Sequence, residues 1–248
     1  MLSTERLHQA LTGRPFRYYE SLSSSNDSAM RWLNEGASAG SIIVANEQTQ
    51  GRGRLGRTWY APPGTALMFS YLLRPQVEEL PYIGMMGALA VVESLKSLGV
   101  AACGIKWPND VQIDGRKVSG VLPEATWQSN KLLGVVLGIG INVRIDFTGT
   151  AFTQTAVSLE SVISSVDRAD LLRRIVTRLD DWSSRLSSDE LFEQWRDSML
   201  MMGRRVSINH VTGTVDGIAE VVDRQGALLV RDSGGTLTRV IAGDIALG

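Results

Sequence analysis

The sequence predicts an α+β fold: a mixed β-sheet domain flanked by helices, followed by a small β-barrel-like unit. Three observations carry this. Short β-branched runs alternate with amphipathic stretches as far as Met202. A long apolar segment, Pro81–Gly99, opens at a proline and closes at a glycine, as a buried helix does. After Gly203 the texture changes to short strand-like runs separated by Gly, Asp and Ser, the pattern of a small all-β unit.

The first helix is expected in SSSNDSAMRWLNEG, capped near Ser25–Asn26 and ended by Gly36. SIIVAN (41–46) and TALMFSYLLRP (65–75) read as strands. GIKW and NDVQI flank Pro108. Asp114–Gly115 signals a hairpin turn from which KVSGVLPEAT returns as a strand. KLLGVVLGIGINV is a further buried strand, and three amphipathic helices are expected between about Ser158 and Met202.

Composition narrows the function. The chain has 248 residues, 44% of them hydrophobic and 21% charged, with a net charge of −1, so it folds and projects no global basic field. The single cysteine, Cys103, sits in apolar VAACGIKW and reads as buried packing; it excludes an internal disulfide. No apolar run approaches the ~20 residues needed to span a bilayer, and the N-terminus lacks a secretory h-region. A cytoplasmic protein that neither enters a membrane nor carries a His-rich metal site is expected. The only histidines are His8 and His210, and neither lies in a motif.

The segment GRGRLGRTWYAPPG (51–64) contains G-x-G-x-x-G and nearly spells G-x-x-x-x-G-K-[ST]. Both fingerprints need a helix to follow, because its N-terminus supplies part of the anion site. Pro62, Pro63 and Gly64 forbid one here. What remains is a flexible loop in which Arg52, Arg54 and Arg57 present guanidinium forks to phosphate or carboxylate. A solvated loop or an RNA-binding tract would also be basic. The second constellation is KWPNDVQIDGRKVSG (106–120). Lys106 and Lys117 are expected on adjacent strands of the hairpin around Asp114–Gly115, both ammonium groups toward one end of the sheet.

EQTQGRGRLGRTW (47–59), KWPNDVQIDGRKVSGVLPE (106–124) and GIGINV (138–143) resemble the biotin protein ligases. SSSND (23–27) stands in the place of that family's S-T-N-D element, and the C-terminal unit is similar to its SH3-like domain. The resemblance covers nearly the whole chain. It implies a class II synthetase/biotin ligase-like catalytic domain over residues 1–202 and an SH3-like β-barrel over 203–248. It also implies activation of biotin by ATP, with Mg²⁺ as counter-ion, to biotinyl-5′-AMP and pyrophosphate. Biotin then passes to a lysine of a biotin carboxyl carrier domain of a biotin-dependent carboxylase. Such a site is rich in Arg and Lys because two anions must be brought together.

By motif position the resemblance implies that Arg52, Arg54 and Arg57 meet the phosphates and the biotin carboxylate. Lys117 bridges carboxylate and α-phosphate, and Lys106 stabilises charge at the transferring centre. Ser25, Asn26, Gln48 and the backbone of Gly120 hold the biotin ring. Asn142 and Trp59 meet the adenine, Asp110 orients the incoming lysine amine, and Trp107 supports the site by packing. No direct protein ligand to Mg²⁺ is implied. Two departures stand out. Ser25 keeps the hydroxyl where the family often has Thr, and Pro123 removes one ladder donor from its strand. About twenty residues precede Ser23, fewer than the ~50 of most domains, so operator DNA binding is not expected. The implied assembly is a monomer or homodimer. A lipoate or octanoate ligase, or a non-catalytic nucleotide-binding module, is the alternative.

Overall fold

The computed structural model describes residues 2–210 and 213–247; the side chains of His210 and Leu247 lie outside what is described. Seven strands form the first sheet: β1 (Phe16–Tyr19), β2 (Ile42–Ala45), β3 (Ala66–Leu73), β4 (Cys103–Lys106), β5 (Asp110–Ile113), β6 (Arg116–Gln128) and β7 (Lys131–Asn142). Their spatial order is β1-β2-β3-β7-β6-β5-β4. Only β1 and β2 run parallel; every other neighbouring pair is antiparallel. The mixed sheet expected from the sequence is present, with β1 and the short helix α1 (Thr4–Ala10) as additions the sequence reading did not include.

Helices cover both faces, which is why β3 is buried at every position instead of alternating. Helix α2 (Ser25–Asn34) takes one face, where Ala29 and Leu33 pack on Ile43, Leu72 and Val136. Helix α3 (Leu80–Ser97) takes the other, against strand residues such as Val121, Leu137 and Ile139. Ser24 caps α2, one residue before the expected cap, its hydroxyl accepting from Asp27 N. Asp114 and Gly115 both have positive φ, 49° and 76°, as a two-residue turn joining β5 to β6 requires. Beyond Gly120, β6 has no strand partner on its β5 side among the described residues, so Pro123 is accommodated opposite Leu137.

Where three helices were expected there are two: α4 (Arg168–Ser183), capped by Asp167, and α5 (Asp189–Asp197), capped by Ser188. The third reduces to a 3₁₀ turn, Leu159–Ser161. The serine- and β-branched-rich run after it offers too little helix propensity to propagate.

The C-terminal unit is an antiparallel sheet of β8 (Arg205–His210), β9 (Gly213–Val222), β10 (Leu228–Arg231), β11 (Leu237–Val240) and β12 (Asp244–Leu247). Its order is β11-β10-β9-β8-β12, without a pairing among the described residues that would close it. This is the SH3-like unit, as an open sheet. Its buried residues, Val206, Ile208, Val222, Leu228 and Val230 among them, belong to the same apolar cluster as the first sheet.

Candidate active site

A cleft of about 430 Å³ lies between the arginine loop, the middle of the seven-stranded sheet, the β4–β5 corner and the start of β12. That is the size of a small-molecule site. It collects every side chain singled out in the sequence: Ser25, Asn26, Gln48, Arg52, Arg54, Arg57, Trp59, Lys106, Asp110, Lys117 and Asn142, with Gly120 in its wall. Five basic side chains thus converge, opposed by Asp110 and Asp244 in the lining.

The floor is glycine. Gly120 on β6 and Gly138 and Gly140 on β7 present bare backbone. The Trp59 ring lies directly on it: a Cβ on Gly140 would meet that ring at 2.7 Å, and one on Gly120 at 3.2 Å. The absence of side chains is therefore what lets a flat group rest there. Among the described residues Trp59 Nε1 is buried without a hydrogen-bond partner. Tyr60, Phe147 and Phe152 add an aromatic wall, with ring centroids 5.6–6.5 Å apart.

The arginine segment has pairing of its own. Gly51 O accepts from Trp59 N at 2.9 Å, Arg57 O from Gly53 N at 2.7 Å, and Arg52 and Thr58 form a bridge, so the loop folds back as a small hairpin. A 3₁₀ turn, Arg54–Gly56, makes its tip. The next regular strand is β3, and no helix follows the glycines, so neither phosphate fingerprint has its context. Arg52 pairs with Asp27 (2.5 Å) and Glu124 (3.2 Å), Arg54 donates to Asn109 Oδ1 (3.1 Å), and Arg57 pairs with Asp244 of β12. Burial pushes the Arg54 guanidinium below its ordinary pKa.

One geometric expectation is corrected. Lys106 and Lys117 are not on adjacent strands. Lys106 ends β4 opposite Asp110, whereas Lys117 is on β6, and β5 lies between them. Two hairpins share β5, where the sequence pattern predicts one. Both lysines still reach the cleft. Lys117 Nζ is 2.7 Å from Asp110 Oδ1 and 5.7 Å from the centre of the Trp59 ring. Among the described residues Lys106 has no ion-pair partner. Trp107 packs as expected, 2% exposed, and its Nε1 also donates to Gly226 O of the C-terminal unit at 2.8 Å.

The polar residues predicted to hold the ligand ring and the adenine are already engaged with protein. Asn26 is buried; its Nδ2 donates to Glu124 Oε2 (2.6 Å) and Leu122 O (3.3 Å), and its Oδ1 accepts from Ser70 (2.6 Å). Asn142 Nδ2 donates to Lys117 O (3.1 Å) and Val157 O (3.2 Å), fixing the backbone that carries Lys117. Gln48 Oε1 accepts from Ser25 N at 2.7 Å, holding the start of α2 to the loop. The reading missed Glu124, Asp244 and the aromatic wall, whose partners lie 72, 187 and some 90 positions away. No local pattern announces such pairs. Among the described residues no group of three or more His, Cys, Asp or Glu is arranged to hold a metal ion.

Comparison with known proteins places this architecture. Residues 18–142 match the Biotin/lipoate A/B protein ligase family, and residues 202–248 match the Biotin protein ligase C terminal domain. The biotin–[acetyl-CoA-carboxylase] ligase of Mycobacterium tuberculosis is 33% identical over 218 residues, covering 83% of this chain and 78% of the relative. The bifunctional ligase/repressor BirA of Bacillus subtilis is 30% identical over 252 residues, 98% of this chain and 77% of the relative. The structure of a biotin protein ligase from Aquifex aeolicus in complex with biotin and ATP superposes with a TM-score of 0.80 at 27% identity, covering 94% of this chain and 98% of that one. The chain belongs to the Biotin/lipoate A/B protein ligase family, and within it to the biotin protein ligases.

Proposed function

We infer that the cleft carries out ATP-dependent biotin ligation through its own basic residues, and that residues 1–202 form the catalytic unit with 203–248 packed against it. The chain is a biotin protein ligase using biotin and ATP. In the first step a biotin carboxylate oxygen bonds to the α-phosphorus of ATP and the bond to pyrophosphate breaks, leaving biotinyl-5′-AMP. In the second, the amine of a carrier lysine attacks the acyl carbon, AMP leaves, and an amide forms with loss of one proton.

The observation that carries this reading is the convergence of Arg52, Arg54, Arg57, Lys106 and Lys117 on a glycine-floored cleft of matching size. The obstacle to the first step is repulsion between anions, and fixed cations lower it. Lys117, held by its backbone through Asn142, is placed to bridge carboxylate and α-phosphate, and Lys106 to meet charge at the transferring centre. Arg52 takes the acid carboxylate, and Arg54 and Arg57 the phosphates. Ser25, Gln48 and the Gly120 backbone take the ring, and Trp59 the adenine. Asp110, released when Lys117 turns to the ligand, orients the incoming amine. Asn26 supports the ring site from behind. Mg²⁺ enters with the nucleotide phosphates, its usual mode with ATP.

The acceptor is the biotin carrier domain of acetyl-CoA carboxylase. Carrier domains of this kind tend to be acidic, which suits the basic mouth of the cleft. A cytoplasmic setting agrees with an unpaired, buried Cys103. The test is pyrophosphate release with MgATP and biotin, octanoate, lipoate or no acid. Release with biotin alone is expected; release only with octanoate or lipoate would transfer the protein to the lipoate side of the family, and none with any acid would refute the reading.

A further inference from the structure

We propose that Gln112, which takes no part in the steps above, binds the nucleoside of ATP; that the nucleotide is ATP rests on the biotin-ligase reading. Gln112 lies on β5 and lines the cleft, only 6% exposed. Of the buried Ser, Asn, Gln and Arg side chains, it alone lacks a hydrogen bond among the described residues. Nor is its head sealed away. The fully buried polar atoms without partners are, among the described residues, Trp59 Nε1, Thr126 Oγ1 and Trp195 Nε1, so the exposed remnant of Gln112 includes its carboxamide. A carboxamide kept in such a place without a protein partner costs stability and calls for a ligand.

Strand pairing fixes where that head sits. Side chains alternate between the faces of a strand, so Gln112 shares the cleft face with Asp110. The β5–β6 register shifts between Val111 and Gln112: Val118 has no β5 partner, and Lys117 comes opposite Gln112 on the face of Gly120. Asn142 of β7 donates to Lys117 O, so Gln112, Lys117 and Asn142 form one row across three strands. The earlier rows on β7 are Gly140, beside Gly120, and Gly138, beside Ser70 and Leu122. From the Gly138 row to the Asn142 row is about 13 Å, at ~3.3 Å per residue. Ser70 bonds Ser25 at the Gly138 row, the end that takes the biotin ring. Lys117 Nζ reaches back to Asp110 in the middle row, which places its charge there. The Asn142 row is thus left for the nucleoside. A neutral carboxamide adds little for phosphates already met by cations, but it matches a nucleoside: Gln pairs with adenine N6 and N7 together, and its oxygen accepts equally from a ribose hydroxyl.

Gln112→Met keeps the length of the side chain and removes its hydrogen-bonding head. Its affinity for α,β-methylene-ATP, measured by calorimetry with and without biotin, should fall about three- to tenfold, the worth of one or two neutral hydrogen bonds. The KM for ATP in pyrophosphate release should rise by the same factor. The KM for biotin should not change, and the Tm should hold or rise, because no protein partner is orphaned. Nucleotide analogues locate the contact: wild type and variant should show equal KM values for a nucleotide lacking the group that Gln112 touches. Purine-riboside, 1-deaza- and 7-deaza-adenosine triphosphates probe the base edge, and 2′- and 3′-deoxy-ATP the ribose. Unchanged nucleotide affinity in Gln112→Met, a persistent difference between wild type and variant with every analogue, a biotin KM that rises as much as that for ATP, or a lowered Tm would each overturn the proposal. If the wild type released no pyrophosphate with biotin, the ligase reading would fail while the calorimetry still judged Gln112.

Discussion

At the scale of single residues, four of the cleft's five cations are already matched to oxygen: Arg52 to Asp27 and Glu124, Arg57 to Asp244, Lys117 to Asp110, and Arg54 to Asn109. These pairs keep a strongly basic pocket from destabilising the empty fold, and a ligand must exchange with them. Lys117 carries the sharpest expectation. Its side chain is 36% exposed and faces the cleft, so Lys117→Ala should leave stability nearly intact. It should slow adenylation by about 10²–10³, the loss typical of removing one preorganised donor. Biotin-dependent pyrophosphate exchange alongside thermal unfolding checks this; near-wild-type exchange would remove Lys117 from the mechanism. Asn26 should behave in the opposite way. Its amide is fully used inside the protein, so Asn26→Ala takes the amide donor from Leu122 O and Glu124 Oε2, while Ser70 keeps Ser25 Oγ as a partner. A loss of about 1–3 kcal/mol of stability follows, read as a lower denaturant midpoint. An unchanged midpoint would mean that Asn26 serves the ligand alone.

At the scale of elements, strands β6 and β7 make the site by what they omit. Gly140 has ordinary extended backbone, so Gly140→Ala adds no backbone strain. Its new Cβ would meet the Trp59 ring at 2.7 Å. The ring must lift off the floor, and the KM for biotin or ATP should rise at least tenfold while secondary structure by circular dichroism is kept; unchanged KM values would show that nothing rests on that floor. This level also shows what was legible in advance. The β3, α3, β6 and β7 segments announced themselves because each is a long run bounded by Gly, Pro or Asp, and the four-residue β2 did so through its unbroken Ile42-Ile43-Val44 run. The N-terminal α1 and β1 did not, since seven and four residues give too little pattern, and β1 exists only because β2 offers it an edge. The site residues were legible as motif positions, and all of them reach one cleft. Their protein partners were not, because Glu124 meets Arg52 only after β6 has been paired to β7. The merged hairpin of Lys106 and Lys117 failed for the same reason: a four-residue β5 was too short to be counted as a strand in its own right.

At the scale of the whole molecule, the C-terminal sheet is tied to the chemistry at two points. Gly226 O accepts from Trp107 Nε1 beside Lys106, and Asp244 holds Arg57. Behind these contacts the two units share one apolar cluster, in which Val206, Ile208 and Leu228 are each at most 1% exposed. Each such side chain contributes about 1.5–3 kcal/mol by its burial, so exposing even a few of them costs an amount comparable with the ~5–15 kcal/mol of net stability typical of a domain. A chain ending at Met202 should therefore bind a hydrophobic dye, lose its cooperative thermal transition and release no pyrophosphate with biotin. Adding residues 203–248 as a separate chain should restore little, because association must now overcome lost translational freedom. A truncated protein that melts cooperatively and still adenylates biotin would show instead that the C-terminal sheet serves only the second step, where the carrier domain must be received. Salt dependence separates these roles in the intact chain. Carrier encounter depends on long-range fields screened over about 8–10 Å at 0.1–0.15 M salt, whereas contacts inside the cleft are much less screened. Raising salt should slow transfer more than adenylation, and equal slowing of the two steps would count against electrostatic steering of the carrier.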